Sequence, residues 1–526
     1  MKKANTKALI VYVLLIVTLV SFFGINSFGG ETVTEEWSIE YEGPVHDWTY
    51  DYEGGRDIVV DVDGNVYVTG FSIDRGTHVD YATIKYDSDG NELWVSRYNG
   101  PTNGDDEAYA IAIDYSGNIY VTGESEGEIA TIKYSNSGNE LWAARYNQGR
   151  GVDIAVDDLG NVYVTGPTIP GGIPIDDSDY ATIKYDGNGT QQWAAIYAGP
   201  ANGPGSYDGS HAIALDSHGN VLVTGGSAGN NTFCDSTTVK YDNEGNELWV
   251  ARYTSPTTSG IECTFSVAID EYDNIYVAGR VWQEDTIWYS HYLTIKYDTE
   301  GNEEWVARYN NGEDDVARAL AVDNLGNVYV TGYSQGNGTY TDYATIKYDN
   351  DGNELWVSRY DGPGNQEDHA NDIALDAVGN VYVTGTSRGA GTSLDYATVK
   401  YNGNGTQCWV ARYNFNMSLD DEGQAIAVDN TGNIYVTGWT GQYKPRWIAT
   451  IKYSQTVNTH CYGDANEDNV IDMKDITKAE RIILQLDSNM PYADANNDGS
   501  VDMKDVTKIE RIILQIDPPI ILNQNK

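Results

Sequence analysis

The most regular feature of the chain is an alternation of apolar and polar positions that recurs around a glycine turn. A run such as Ala-Ile-Ala-Ile-Asp114 leads through a short turn into Gly-Asn-Ile-Tyr-Val-Thr-Gly123. Alternation at period two predicts β-strands, and Asp-x-x-Gly-Asn supplies the glycine that a tight hairpin turn requires. The phrase occurs eight times, and four of the seven intervals are 53 residues long. Its asparagines are Asn65, Asn118, Asn161, Asn220, Asn274, Asn327, Asn380 and Asn433.

Two further phrases complete each repeat. Ala-Thr-Ile-Lys-Tyr, or a variant, follows each hairpin, and Gly-Asn-Glu-Leu-Trp-x-x-x-Tyr or a related phrase follows seven of the eight lysines. These lysines are Lys85, Lys133, Lys184, Lys240, Lys296, Lys347, Lys400 and Lys452. A four-stranded unit cannot bury both of its faces alone, so neighbouring units must stack. The repeat length and strand number predict the blades of a β-propeller.

The two ends of the repeat region predict the blade count. The last repeat stops after Tyr453, before its Trp-x-x-x-Tyr strand, and the missing strand occurs at the other end as Trp37 to Tyr41. We therefore expect an all-β, eight-bladed propeller with four-stranded blades, in which the N-terminal strand completes the last blade and leaves no open end. The eight tryptophans are Trp37, Trp94, Trp142, Trp193, Trp249, Trp305, Trp356 and Trp409.

The repeat closely resembles the propeller repeats called SBBP, on the Asp-x-x-Gly-Asn-Val-Tyr-Val-Thr-Gly segment, over roughly residues 36 to 453. The name of that family implies seven blades, and the count here departs from it. The resemblance implies a propeller fold and an exported location, but no settled reaction. Asp87-Gly90-Trp94 also resembles the tryptophan-docking repeats of eight-bladed quinone-dependent dehydrogenases.

Residues that occur once in every blade indicate structure rather than catalysis, because catalysis breaks symmetry. We expect the tryptophans to clamp adjacent blades, and the chain has no adjacent-cysteine pair that would support a quinone cofactor. Asp61, Asp114 and their equivalents are expected to brace turns through side-chain to backbone hydrogen bonds. The repeated lysines are expected to brace a turn or to pair across blades.

Composition narrows the possible partners. The chain has 56 glycines and 41 tyrosines but only 7 phenylalanines, as expected for short strands joined by tight turns. Its formal charge is −46. So negative a surface repels phosphate backbones and attracts divalent cations, which argues against nucleic acid as a partner.

Residues 1–30 have the pattern of a signal peptide. Lys2, Lys3 and Lys7 precede an apolar run from Ala8 to Phe23, which is short for a membrane span. An uncleaved anchor is the alternative; after signal removal no membrane contact is expected. In an exported chain the four cysteines are expected to pair. We predict that Cys234 and Cys263 meet in connections on one face of the ring, and that Cys408 pairs with Cys461.

Connections of variable length are expected on one face of the ring, which we call the variable face, and uniformly short turns on the other. If the ring binds a carbohydrate or protein ligand, the variable face is where we expect it. Acidic groups recur there, and a solvated rim is favoured over a cation site or a glycosidase carboxylate pair. These groups are Asp105-Asp106-Glu107, Glu313-Asp314-Asp315, Glu367-Asp368 and Asp420-Asp421-Glu422. The histidines are scattered without metal-ligand spacing, and no catalytic triad is recognisable.

Residues 459–526 contain two copies of a calcium-loop pattern. Oxygen ligands stand at loop positions 1, 3, 5, 9 and 12, and position 7 offers a backbone carbonyl, as calcium requires. Gly499 and Asn469 suit the sharp turn at position 6. The first loop uses Asp464, Asn466, Asp468, Val470, Asp472 and Asp475. The second uses Asp494, Asn496, Asp498, Ser500, Asp502 and Asp505. Two calcium ions are therefore predicted.

A helix is predicted after each loop, Met473 to Leu486 and Met503 to Ile516, from apolar residues at helical spacing. The absence of a helix before the first loop, with Asp at position 12, resembles type I dockerins. That resemblance implies a small all-α domain that binds a cohesin-bearing partner. Carried onto this chain, the cohesin-facing positions are Met473, Lys474, Glu480, Arg481, Met503, Lys504, Glu510 and Arg511. Dockerins often have small hydroxyl residues in place of Met-Lys, which leaves the cohesin type open.

These observations together predict three parts: a signal peptide over residues 1–30, a propeller over 31–458 and a dockerin-like module over 459–526. We interpret the chain as an exported, non-catalytic interaction protein that is secreted or bound to the cell surface. The alternatives are a dockerin-borne enzyme acting on polysaccharide and a structural envelope protein.

Overall fold

A computed structural model describes most of the repeat region. The described residues are 31–44, 53–73, 78–168, 177–201, 206–230, 232–255, 261–284, 288–312, 314–336, 340–416, 419–441 and 446–456. The predicted signal peptide, both calcium loops, their helices and all the predicted cohesin-facing residues lie outside the described residues. Within the described chain, residues 33–454 form a compact unit.

The described residues form strands joined by turns and loops. The first half contains β1 (Thr32–Tyr41), β2 (Gly54–Val60), β3 (Val66–Ile73), β4 (Val79–Tyr86), β5 (Glu92–Tyr98), β6 (Asp106–Ile113), β7 (Ile119–Ser125), β8 (Glu128–Tyr134), β9 (Glu140–Gln148), β10 (Asp153–Val156), β11 (Val162–Pro167), β12 (Asp177–Ser178), β13 (Tyr180–Tyr185), β14 (Gln191–Tyr197), β15 (Ser206–Leu215), β16 (Val221–Gly229), β17 (Thr232–Tyr241) and β18 (Glu247–Tyr253). The second half contains β19 (Glu262–Ile269), β20 (Ile275–Glu284), β21 (Trp288–Tyr297), β22 (Glu303–Tyr309), β23 (Val316–Val322), β24 (Val328–Gln335), β25 (Thr341–Tyr348), β26 (Glu354–Tyr360), β27 (Asp368–Leu375), β28 (Val381–Arg388), β29 (Leu394–Tyr401), β30 (Gln407–Tyr413), β31 (Asp421–Val428), β32 (Ile434–Thr440) and β33 (Trp447–Thr456).

The strands form eight sheets, which confirms the predicted number of blades. Blades 1 to 7 each pair four strands in chain order from the inner to the outer edge, starting with β2, β6, β10, β15, β19, β23 and β27. The two-residue strand β12 stands outside this order and adds to the inner edge of blade 4 by parallel pairing with β15. Blade 8 has the order β31-β32-β33-β1, so the N-terminal strand completes it as predicted.

The first strands contact one another in sequence and close around the axis of the ring. Blade 1 packs on blade 8 through a buried cluster that includes Ile58, Ala425, Tyr435 and Ile448. Burial of such residues from both neighbours gives every blade two covered faces, which a single four-stranded sheet lacks.

Each inner hairpin turn is braced by its aspartate, as predicted. In blade 1 the carboxylate of Asp61 accepts hydrogen bonds from the backbone N–H groups of Asp63 at 3.0 Å and Asn65 at 2.9 Å. The Tyr67 hydroxyl donates to the same carboxylate at 2.9 Å. Gly64 has φ 79°, a left-handed conformation that glycine adopts without steric cost. In blade 5, Asp273 takes the corresponding position at φ 64°.

The repeated tryptophans clamp neighbouring blades, which confirms their predicted role. The indole of Trp94 in blade 1 lies on Gly138 of blade 2, where an added Cβ would stand 2.7 Å from the ring. Its Nε1 donates to the carbonyl oxygen of Asn136 at 3.0 Å. The same donation links Trp37, Trp142, Trp193, Trp249, Trp305 and Trp356 to the next blade.

The repeated lysines also reach across blades. Lys296 Nζ donates to Asn350 Oδ1 of the next blade at 2.7 Å, and Lys133 Nζ donates to the Gly187 carbonyl at 3.1 Å. The ammonium group of Lys133 lies 4.8 Å from the centre of the Tyr120 ring, within the range of a cation–π interaction. These buried lysines therefore serve the blade interface.

A repeated arginine, which sequence analysis did not single out, braces the outer strands. In blade 6, Arg359 donates to the Tyr309 hydroxyl of the preceding blade at 3.1 Å and to Ser334 Oγ at 2.9 Å. Six blades have this arginine, whereas blade 3 has Ile196 and blade 8 has Glu40 at the position. The six are Arg97, Arg145, Arg252, Arg308, Arg359 and Arg412.

The cysteine positions differ from the prediction in one respect. Cys234 and Cys263 lie within strands β17 and β19, rather than in connections, because both strands extend beyond the repeated phrases. Both are buried thiols, and their Sγ atoms are 3.1 Å apart across the interface between blades 4 and 5. Cys408 is a half-buried thiol, and Cys461 lies outside the described residues.

The first prediction concerns ring closure. Deletion of Trp37 to Tyr41 is expected to lower the melting temperature and to cause aggregation, because it exposes the edge of β33 and removes the indole from Gly90. Thermal unfolding with light scattering measures both effects. Leu93→Ala, at an exposed position on the outer strand β5, is the control and should leave both unchanged. If the deletion variant were as stable as the unchanged protein, ring closure by the N-terminal strand would be contradicted.

The second prediction concerns oxidation of the buried thiols. Exported protein is expected to contain a Cys234–Cys263 disulfide, because the two sulfur atoms already meet and exported chains face an oxidising environment. Non-reducing peptide mapping should recover the two cysteines in one linked peptide pair. Recovery of either cysteine linked to Cys408 would contradict the strand order, since Cys408 lies on β30 of blade 7.

Candidate functional site at the channel mouth

The acidic groups of the variable face are less solvated than predicted. Asp106, Asp315, Asp368 and Asp421 are fully buried, which corrects the interpretation of a simple solvated rim. The reason is local: the side chain turns inward and closes the loop that precedes its strand. Asp368 accepts the backbone N–H of Gly362 at 2.6 Å, and burial raises the pKa of its carboxyl to about 6.

Three carboxylates come together on this face, near the loop that leads from blade 6 into blade 7. Ligand atoms of Asp342, Asp361 and Asp368 lie within 4.8 Å of one another. Asp342 accepts a hydrogen bond from Arg359 at 3.1 Å, and Asp368 closes its loop. Both carboxylates therefore have a structural use in the ring.

Toward the axis, the first strands carry a shared irregularity. Seven of them have a register shift at the same point, for example between Ala317 and Ala319, and the shift displaces one residue toward the channel. The displaced residues are Arg56, Tyr109, His211, Phe265, Arg318, Asn371 and Gln424. Unlike the repeated residues around them, these seven include charged, aromatic and amide side chains.

The displaced side chains contact their neighbours around the axis. The Arg56 guanidinium lies 5.5 Å from the Tyr109 ring centre, and the rings of His211 and Phe265 are 5.2 Å apart. Arg318 lies 6.0 Å from the centre of the Phe265 ring. These contacts join side chains from adjacent blades, so the channel mouth is lined by a mixed cationic and aromatic belt.

A cavity of about 440 Å³ opens in this belt. It extends over blades 6, 7, 8 and 1, at the end of the first strands that faces the variable loops. Its volume lies in the range of small-molecule sites. The lining residues are Arg56, Arg318, Glu367, His369, Asn371, Thr386, Leu394, Glu422, Gln424, Trp439 and Arg446.

Aromatic rings hold the arginines of the cavity. The guanidinium carbon of Arg446 lies 3.5 Å from the centre of the Trp439 ring, and that of Arg318 lies 5.6 Å from the Tyr333 ring. Arg56 lies 5.1 Å from the Phe71 ring, with a nitrogen 3.6 Å from Glu107 Oε2. Such stacking limits the motion of a planar guanidinium, which carries its N–H donors around its edge.

Two titratable groups of the cavity, His369 and Glu422, are shifted toward their neutral forms. Burial lowers the pKa of His369, whose ring centre lies 4.2 Å from that of Tyr333 and whose Nε2 is 2.8 Å from Thr341 Oγ1. Burial raises the pKa of Glu422, while Arg446 and Arg56 act in the opposite direction. The imidazole is therefore mainly neutral at pH 7.

The sequence contains a signal for this site, at the displaced position of each first strand, that the search for repeated residues and ligand spacings did not identify. The displaced residue stands between small or acidic residues, as in Ala-Tyr109-Ala and Ala-Arg318-Ala, and it varies in character from blade to blade. His211 and His369, which look scattered along the chain, both line the channel region.

Comparisons with known families agree with this architecture. The family model described as beta-propeller repeat, SBBP, matches residues 94–129, 304–338 and 409–442. The model described as dockerin type I domain matches residues 462–514. The chain carries SBBP repeats and a type I dockerin domain.

The dockerin match has consequences for the C-terminal region. Type I dockerin domains generally bind calcium, and dockerins bind cohesins, so calcium and a cohesin-bearing partner are supported. Such domains are typical of secreted or cell-surface cellulosome proteins. Among the residues that the structure describes, none forms an apolar helix of membrane-spanning length.

Solved structures share the propeller architecture at low sequence identity. A structure titled Dos1 propeller has a TM-score of 0.51 at 10% identity and covers 80% of this chain and 95% of its own. The polysaccharide lyase Uly1 has a TM-score of 0.40 at 10% identity, covering 81% of this chain and 99% of its own. At that score the likeness to the lyase carries no functional information. No curated protein matches the chain.

Beside the channel, three carboxylates link inner strands of neighbouring blades. Asp57, Asp153 and Asp372 are half-buried, and each accepts a backbone N–H from the next blade, at 2.9, 2.8 and 2.9 Å. Burial raises the pKa of these carboxyls to about 6, 7 and 7. Their ionisation therefore opposes folding at neutral pH.

The third prediction follows from these carboxyls. A carboxyl of raised pKa contributes stability below its unfolded pKa of about 4, and this contribution is lost as the pH rises through about 7. Asp372→Asn is therefore expected to show a smaller fall in melting temperature between pH 5 and 8 than the unchanged protein. Asp63→Asn, at an exposed turn position, is the control and should follow the unchanged profile. Parallel profiles for all three proteins would refute the assignment.

Proposed function

We propose that the chain is an exported, non-catalytic interaction protein, in which the propeller is a binding scaffold and the dockerin tethers it to a cohesin-bearing partner. The observation that carries this proposal is the dockerin match at residues 462–514. A dockerin attaches its chain to a cohesin-bearing assembly, and the ring then provides the binding surface that is displayed on that assembly.

The structure of the ring supports a scaffold role. The repeated tryptophans, lysines, arginines and turn aspartates have contacts that hold blades and turns together. The buried acids at the start of β27 and β31 close loops, so they are poor candidates for a glycosidase pair. What differs between blades is concentrated at the channel mouth and in the variable loops.

The donor set of the C-terminal region fits calcium. Each proposed loop offers carboxylate, amide and carbonyl oxygens in the number and order that calcium prefers, with Asp464 and Asp494 at the first positions. Two ions are proposed, and each would draw together carboxylates that repel one another in its absence. The chemistry that calcium supplies here is the ordering of the loops from which the cohesin-facing helices start.

The two copies also suggest two ways of docking. Met473, Lys474, Glu480 and Arg481 recur as Met503, Lys504, Glu510 and Arg511, so either helix offers nearly the same residues to a cohesin. We propose that each orientation suffices for binding.

The second candidate is an enzyme acting on polysaccharide, because dockerins commonly carry such cargo. The channel cavity favours this candidate over a purely structural envelope protein, since its lining combines arginines with a neutral histidine that packs against Tyr333. Release of reducing sugar from a polysaccharide panel by the full chain would establish an enzyme in place of a binding scaffold.

The fourth prediction tests the tether. Immobilised type I and type II cohesins are expected to capture the full chain in calcium and to release it in chelator. Arg481→Glu alone should weaken capture little, whereas Arg481→Glu with Arg511→Glu should abolish it, because the second helix then also presents the wrong charge. Surface plasmon resonance measures both effects.

The control for charge alone is Arg388→Glu in the ring, which should leave capture unchanged. Equal damage from the single and the double change would contradict two orientations. Capture that persists in chelator, or failure with every cohesin, would contradict the calcium-dependent tether itself.

A further inference from the structure

The arginines that stand outside the repeat are concentrated in one place. Among the described residues six arginines lack the repeated outer-strand position, and five of them lie at or beside the channel. Arg56, Arg318 and Arg446 line the cavity, and Arg280 lies 5.7 Å from the Phe265 ring. Arg150 is close enough to His211 to lower its pKa further after burial has lowered it. Arg388 does not line the cavity, and it provides a control.

The three arginines that line the cavity belong to three different blades. Arg56 belongs to β2 of blade 1, Arg318 to β23 of blade 6, and Arg446 precedes β33 of blade 8. Because they reach one cavity from three blades, no single repeat accounts for the cluster. Each is held against an aromatic ring, at 5.1, 5.6 and 3.5 Å, so the cationic groups are largely positioned before a ligand arrives.

The residues that line the cavity carry a net positive charge, part of which Glu107 beside Arg56 offsets. The cavity has three arginines and two glutamates, and the chain as a whole carries −46. Planar guanidinium groups with several N–H donors match carboxylates and bind them through paired, charge-assisted hydrogen bonds. The cavity is therefore suited to an anion with a carboxylate group.

The other lining groups indicate what surrounds that carboxylate. Asn371 donates one hydrogen bond to the Gly423 carbonyl at 2.8 Å, and Gln424 donates to Glu422 at 3.2 Å. Each amide keeps its oxygen as an acceptor in addition to these donations. Thr386 adds a hydroxyl to the same wall. Groups that both give and accept hydrogen bonds recognise a polyhydroxylated ring better than an apolar acid.

We propose that the cavity binds a carboxylate-bearing sugar, such as a uronic acid residue of a short oligosaccharide. The guanidinium groups take the carboxylate, and the amides and Thr386 take ring hydroxyls. The volume of about 440 Å³ suits a small ligand of this kind. This inference rests on the proposed role of the ring as a binding scaffold, and it does not involve the dockerin.

The fifth prediction is tested by titration calorimetry of the full chain with three probes: trigalacturonate, the neutral trisaccharide galactotriose, and citrate. Trigalacturonate should bind, and added salt should weaken the binding because charge–charge attraction is screened. Galactotriose should bind at least tenfold more weakly, since the guanidinium groups lose their charged partner. Citrate should also bind at least tenfold more weakly, because it offers carboxylates without the sugar ring.

Variants of the full chain locate the site. Arg318→Ala and Arg446→Ala should each weaken trigalacturonate binding roughly 10- to 100-fold, the loss expected for a hydrogen bond to a charged group. Arg388→Ala, which removes a non-repeated arginine outside the cavity, should bind like the unchanged protein. Arg446→Lys keeps the charge without the planar fork and should fall between them. Thermal unfolding confirms that each variant is folded.

Three results would overturn the proposal: no binding of trigalacturonate, equal binding of galactotriose or citrate, or an equal loss in Arg388→Ala. Cohesin capture is measured on the same variants. Loss of sugar binding with capture intact separates failure at the cavity from failure of the tether, because the cavity substitutions lie in the ring and the cohesin-facing residues lie in residues 459–526.

Discussion

The ring depends on one contact, the seating of a tryptophan on a glycine of the next blade. An added Cβ at Gly189 would stand 2.6 Å from the Trp142 ring, so the indole uses space that only glycine leaves open. Its N–H is satisfied by a carbonyl of the same turn, so a large apolar group is covered without an unpaired donor. Because tryptophan and glycine both lie on outer turns and strands, the contact sets the spacing of the blades at the periphery.

The other repeated residues extend this constraint inward. Lysines and tyrosines link the blades at mid-radius, and Asp57 and its two counterparts link the innermost strands. Most charged groups of the ring thus recur from blade to blade and hold turns or blade interfaces together. For this reason the many carboxylates provide few candidate catalytic groups. Chemistry that distinguishes one blade from another is left to the bulged positions, where the backbone turns a side chain toward the axis.

Features governed by local rules were predictable from the sequence. The Asp-x-x-Gly-Asn turns, the alternating strands, the tryptophan clamps and the closing strand before Gly43 all follow from short phrases and their repetition. The bulges that turn Arg318 and Asn371 toward one cavity depend on pairing between strands, so spacing along the sequence alone did not indicate them. Asp368 and Asp421 were taken for solvated charges because burial depends on a loop folding back over them. Cys234 was assigned to a connection because its strand extends past the repeated phrase.

The order of strands in blade 8 determines how the ring bears a mechanical load. Chain continuity toward the C-terminal module runs out of β33, which lies between β32 and β1 in its sheet. A pull transmitted from a tether enters a strand that is hydrogen-bonded on both sides, so two ladders share the force. If blade 8 were built from four consecutive strands, the chain would leave the ring from the outermost strand. That strand would be hydrogen-bonded on one side only, so a pull could break its hydrogen bonds one after another. With the N-terminal strand in place, β33 is therefore hydrogen-bonded on both sides where the chain leaves the ring.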